Sequence, residues 1–153
     1  MKMRKGFTLV ELLIVIVIIG ILASSMMLSS GSATAAAEAS NIVSDLRSMK
    51  AATLMFYIDS MDALPDDLDL RYLTRYMDNP GKFTTDNGYI FAQSGTTATG
   101  LNWWVGFDLG RAKKTREVGD KLAARAKSVG VYRDQNTTDE YTGGVGTAWM
   151  IAR

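Results

Sequence analysis

Between residues 6 and 37 this chain carries a single charged side chain, Glu11, in a run otherwise made of apolar and small residues. A helix over residues 7–28 would span roughly 33 Å at about 1.5 Å per residue, against a bilayer hydrocarbon core of about 30 Å. A charge at mid-depth in such a helix costs about 3 kcal/mol, less toward an interface, and is normally matched by a dedicated partner. Glu11 is therefore read as a functional residue and not as a side chain that reaches the interface unaccompanied.

A short basic leader, Met1-Lys2-Met3-Arg4-Lys5, runs into Gly6-Phe7-Thr8-Leu9-Val10-Glu11. Leader charge, Gly, an aromatic, Glu and a long apolar run in this order resemble the processing site of type IV prepilins and the related type II secretion pseudopilins. The resemblance covers about the first thirty residues. It implies that a membrane-embedded aspartic peptidase cuts between Gly6 and Phe7 and N-methylates Phe7, and that Glu11 is the membrane glutamate used in assembly. It also implies an α+β, pilin-like fold: a long N-terminal helix packed on a small antiparallel sheet with extra short helices. The expected organisation is a leader at 1–6, a transmembrane and filament-core half of the helix at 7–31, and a globular head at 32–153. The expected partners are further copies of the chain in a helical filament, the prepilin peptidase, an inner-membrane assembly platform and the lipid bilayer. The precursor is expected in a bacterial inner membrane, and the product in an extracellular or periplasm-spanning filament. No catalytic residue, cofactor or metal is expected. Chain size favours a pilus subunit, with a type II secretion pseudopilin as the alternative.

The physical reason for the pairing stands apart from the resemblance. With the leader removed, Phe7 would carry a free α-amine, a cation that needs an anion when drawn among packed helices. Glu11 of a neighbouring chain supplies one, and a chain inserted out of register would leave both charges unpaired. An ordinary export signal is the competing reading, with an Ala-x-Ala pattern within Ser32-Ala33-Thr34-Ala35-Ala36-Ala37. The apolar stretch exceeds the usual core of about 7 to 15 residues, contains Glu11 and continues as a helical pattern past that cut. A secreted or anchored binding domain using the N-terminus only for export is the different-class alternative.

Composition removes several chemistries. The chain has no Cys and no His, so Ser-His-Asp and Cys-His catalysis are excluded, as are zinc sites built on imidazole or thiolate. Without a disulfide, burial and subunit contacts must hold the head together. Loss of Lys2, Arg4 and Lys5 takes the formal charge from +1 to −2, no basic balance for nucleic acid, which is not expected as a partner.

Past the apolar run, the Ser-rich residues 24–32 are expected to be the soft point of the helix. From Ala35 an amphipathic stripe follows: Ala35, Ala39, Ile42, Leu46, Met49, Thr53 and Phe56, with Glu38, Asp45, Arg47 and Lys50 off it. No Pro falls between Gly6 and Pro65, so span and stripe read as one long helix. A short helix is expected over residues 67–76, with the Asp66, Asp67 and Asp69 cluster capping it rather than binding metal. Strands are expected at 89–93 and 102–109 around a hairpin loop at 94–100. The paired Trp103 and Trp104 point one ring to each face of a strand, so one ring is expected in the core and the other at the surface or a subunit contact.

A further helix is expected from Lys113, its apolar side holding Val118, Leu122, Ala126 and Val129, stopped by Gly130. Its other side carries Lys114, Arg116, Lys121, Arg125 and Lys127, read as a solvated face diluted by Glu117 and Asp120, with DNA binding as the sharper alternative. Two short strands, 130–133 and 147–152, are expected around the oxygen-rich residues 134–141. Loops of that kind can hold calcium, but no ligand spacing is recognisable here, and a solvated loop is expected. Asn136-Thr137-Thr138 is a glycosylation sequon by letter only.

Overall fold

A computed structural model describes residues 6–60, 65, 67–96, 100–135 and 139–153. The chain divides into two compact units, Met1–Thr34 and Ala35–Arg153, and one helix, α1 (Leu9–Asp59), runs through both. The expectation of a single long helix holds, and residues 24–32 are helical throughout. Ser24 and Ser25 turn their hydroxyls back to the carbonyls of Gly20 and Leu22, at 2.8 and 3.2 Å, so these two hydroxyls are satisfied by the helix itself.

In the second unit the stripe expected from the sequence is the core. Ala35, Ala39, Ile42, Leu46, Met49, Thr53 and Phe56 are all buried, and the Thr53 hydroxyl is satisfied by the Met49 carbonyl at 2.8 Å. They share one apolar cluster with an antiparallel sheet of order β1-β2-β3: β1 (Tyr89–Thr96), β2 (Gly100–Asp108) and β3 (Thr147–Ile151). Phe91, Trp103, Val105, Phe107, Ala148 and Met150 face that core, as a period-2 alternation requires. The arrangement is the α+β, pilin-like fold expected from the sequence, with the helix α2 (Arg116–Val129) inserted between β2 and β3.

Several local expectations change. Residues 67–76 form two 3₁₀ turns, Leu70–Tyr72 and Thr74–Tyr76, instead of an α-helix. Leu70, Leu73 and Tyr76 recur every three residues, the repeat that a 3₁₀ helix aligns on one face, and the segment is too short to repay α-helix nucleation. Asp69 caps the first turn by accepting from the Arg71 N–H at 2.8 Å. Asp66 lies outside the described residues. The β-strands run longer than expected, through Thr96 and from Gly100, so the hairpin loop shrinks to residues 97–99, which lie outside the described residues.

Neither tryptophan of the pair is at the surface: Trp103 packs in the core, and Trp104, on the other face of the strand, is also buried at 5 % exposure. The chain leaving α2 passes beside the edge strand β3, and from there Tyr132 meets the Trp104 ring edge-on at 5.9 Å, while Ser94 accepts from its indole N–H at 2.8 Å. That return is not a strand over 130–133. Tyr132 alone bridges, exchanging bonds with Trp149 at 2.7 and 2.9 Å, because Gly130 closes α2 in the left-handed region (φ 71°) and turns the backbone at once. The helix itself starts at Arg116 behind Thr115, not at Lys113, whose φ of 53° lies outside helical space. Val118, Leu122 and Ala126 are buried as expected, and Val129 packs partly buried.

Without a disulfide, the C-terminal segment is held to α2 by close backbone contact. A Cβ on Gly119 would lie 1.7 Å from the Gly144 carbonyl oxygen, so only glycine lets the segment seat here. Gly144 donates its N–H to Asp120 at 3.2 Å and accepts from the Tyr141 hydroxyl at 3.0 Å. We expect Gly119→Ala to unseat residues 141–146 and cost about 1–3 kcal/mol, as overpacking of a tight site does. The shift in chemical denaturation midpoint of the full chain in detergent measures it.

Burial, and then the neighbouring Asp120 carboxylate, push the Tyr141 hydroxyl up to about 12. Burial and a hydrogen bond to Asp45 move Tyr89 further in the same direction. The folded chain therefore holds these protons more tightly than the unfolded one, whose tyrosines titrate near about 10. This stabilisation is complete below pH about 10 and is lost as pH rises toward and past 12. The denaturation midpoint should fall across that window, and Tyr141→Phe should start lower and fall less steeply.

Candidate functional site

The N-terminus of α1 is built by four residues. Gly6, Phe7 and Thr8 precede the helix without regular structure, and all three are exposed. Nothing lies within 4 Å of where a Gly6 Cβ would stand, so the fold makes no demand for glycine there. Any such demand must come from a partner that approaches the 6–7 peptide bond closely.

Thr8 caps the helix. Its N–H and its hydroxyl both donate to Glu11 Oε2, at 2.9 and 2.7 Å, and the Glu11 N–H donates back to the Thr8 hydroxyl at 3.2 Å. This is a reciprocal capping box, Thr at the cap and Glu three residues on, which satisfies N–H groups that the first helical turn leaves unpaired. The negative carboxylate also sits at the positive end of the helix dipole. Glu11 is thus held in place by its own chain through one oxygen, while Oε1 has no hydrogen-bond partner among the described residues. Thr8 is the residue that sequence reading missed, although the Thr-x-x-Glu spacing announces it.

Beyond the cap the first unit offers nothing to cover its side chains. Leu9 is 80 % exposed, Ile16 58 % and Met27 81 %. The helix is long and apolar enough to cross a membrane, and none of that window is buried within the chain.

The other candidates resolve into structure. Lys114 of the expected basic row bridges to Glu38 of α1 at 3.0 Å, and Arg125 donates to Ser40 at 2.5 Å, so two of its five cations face α1 and break the row. Asp45, off the apolar stripe as expected, joins three elements: Oδ1 takes Lys82 at 2.6 Å and Oδ2 the Tyr89 hydroxyl at 2.5 Å. No group of three or more Asp and Glu residues is placed to hold a metal ion among the described residues. The sequon at Asn136 lies outside them.

Residues 1–27 match the family model of the prokaryotic N-terminal methylation motif. The chain opens with a prepilin-type motif. On an exposed apolar helix this supports a pilin- or pseudopilin-like processed subunit, anchored in the membrane as its precursor. No curated protein and no solved structure matches the chain.

Replacing Thr8 by Ala removes both side-chain bonds of the cap. Loss of an N-cap costs about 0.5–2 kcal/mol. In detergent-embedded full chain, hydrogen exchange at the amides of residues 9–12 should accelerate accordingly, while the head amides keep their protection. Unchanged exchange in the first turn would mean that the box does not form.

Proposed function

We propose that the chain is the structural subunit of a type IV pilus, cut between Gly6 and Phe7 by a prepilin peptidase, N-methylated on Phe7 and assembled through α1. Residues 1–6 then act as leader, 7–31 as the span that becomes filament core, and 32–153 as the head. The reading rests above all on the methylation motif standing immediately before an apolar helix that the chain leaves uncovered. A lipid bilayer covers such a helix in the precursor, and neighbouring copies, delivered by an inner-membrane assembly platform, cover it in the filament.

The capping box gives the assembly step a specific chemistry. Glu11 arrives in the membrane already ordered, with Oε2 spent on Thr8, and Oε1 is the acceptor for the α-amine of Phe7 in a neighbouring chain. Pairing removes two charges from a low-dielectric helix bundle at once, and only one register brings them together. Chemistry of bond making and breaking belongs to the peptidase, and export and retraction to the platform. A type II secretion pseudopilin would use the same N-terminal device.

Intact mass and N-terminal sequencing of the mature chain test the cut: N-methyl-Phe7 is expected, whereas a start near Ala36 would sink the reading in favour of an export signal. Glu11→Val tests the pairing. The variant should be inserted and processed, because its span is more apolar and the 6–7 bond is intact. It should build no sheared filament, since stripping one partner from a buried pair costs about 3–5 kcal/mol. Native filament yield from this variant alone would dismiss Glu11 as the assembly residue.

A further inference from the structure

A second feature of the head lies far from the N-terminal motif in sequence. The turn at residues 82–87, the loop at 111–114 and the rings of Tyr89 and Phe107 line an open pocket of about 420 Å³. Four of the nine residues that line it are cations, Lys82, Arg111, Lys113 and Lys114, against one acid, Asp86. The chain as a whole is nearly balanced, with 17 basic and 16 acidic residues, so this is a local concentration and not a reflection of composition.

The four cations are of two kinds. Lys82 and Lys114 are anchored from behind by carboxylates of α1, Asp45 at 2.6 Å and Glu38 at 3.0 Å. Those bonds fix the ammonium groups at the wall and neutralise part of their charge. Arg111 and Lys113 have no ion pair among the described residues. Asp108, at the end of β2, accepts from the Arg111 backbone N–H at 2.9 Å. Lys113 also holds the one left-handed backbone conformation of any non-glycine residue described, φ 53°, where glycine would sit without strain. The loop therefore places a flexible cation at a position that backbone geometry alone would assign to glycine.

We propose that this pocket binds a compact phosphoryl oxyanion, with the Arg111 guanidinium as the forked donor and Lys113 closing over it. A guanidinium donates two parallel N–H bonds to such a group, and a lysine ammonium adds a mobile point charge. The concave wall focuses the positive potential of Lys82 and Lys114 on the same space. Two uncommitted cations outweigh the single acid at the rim, Asp86, and favour an anion with dispersed or double charge. The phosphate can come from solution or from an anionic lipid headgroup.

The test uses the full chain in non-ionic detergent, titrated with inorganic phosphate and, separately, with phosphatidylglycerol doped into the micelles against a phosphatidylcholine control. The readout is saturable NMR perturbation of the amides of residues 111–114. Saturation by phosphate identifies the free anion as ligand, and saturation by phosphatidylglycerol alone identifies the headgroup. Either supports the proposal if Arg111→Gln with Lys113→Gln weakens binding by about tenfold or more, as loss of a charge-assisted pair does. Lys121→Gln with Lys127→Gln on α2 should leave it unchanged. A second variant, Arg111→Gln with Lys113→Gly, relieves the backbone strain and should fold at least as well, yet bind no better. Equal weakening by the α2 variant, or no saturable shift with either probe, overturns the proposal.

Discussion

The uncovered apolar surface of the first unit is a free-energy cost that nothing among the described residues offsets. Burying one large apolar side chain is worth about 1.5–3 kcal/mol. Fifteen of them, from Phe7 to Met27, stand at least 45 % exposed. Their combined weight exceeds the net stability of an ordinary domain, about 5–15 kcal/mol. A surface of this size has to be covered by lipid or by other helices, and the two are energetically close to interchangeable because acyl chains are as apolar as Leu. Hydrophobic burial alone therefore cannot choose between bilayer and filament. In the assembly proposed above, that choice would fall to a polar group, and among the described residues of the span Glu11 is the one that carries a charge.

Within that proposal the capping box has a use. A carboxylate left loose at the start of such a helix would sample the interface and present no fixed acceptor. Bonded through Oε2 to Thr8, it satisfies its own helix end and keeps one oxygen in a fixed direction.

The head solves a different problem, the stability of a small unit with no disulfide. Trp103 is its junction: the ring lies 5.8 Å from Phe56, 5.6 Å from Tyr57 and 5.8 Å from Phe91, and its backbone N–H donates to the Arg153 carbonyl at 2.8 Å. The Arg153 guanidinium in turn stacks over Tyr57 at 3.7 Å. Helix, sheet and final residue are thus tied at one aromatic centre, while Gly119 against Gly144 and Asp45 between Lys82 and Tyr89 tie the loops. Each of these ties joins residues distant in sequence, which places them in the role that disulfides take elsewhere.

What was legible in the sequence is what short-range pattern controls. The 3.6-residue stripe from Ala35 to Phe56 named the core face of α1, because a helix repeats its neighbours locally whatever it packs against. Gly130 announced the end of α2 by the conformation only glycine adopts cheaply. The order of leader, Gly6, Phe7 and Glu11 carried the motif for the same reason: its chemistry lies within a few consecutive residues. The Thr8 cap was equally local and equally readable. Tertiary structure decided the rest. Trp104 is covered by Tyr132, which reaches it from a segment beside β3, and by Ser94 of β1. Strand order, the glycine clamp, the three-way bond of Asp45 and the cationic pocket all depend on which distant segments meet. No periodicity within a segment encodes that meeting, since it is set by the joint burial of side chains contributed from the whole chain.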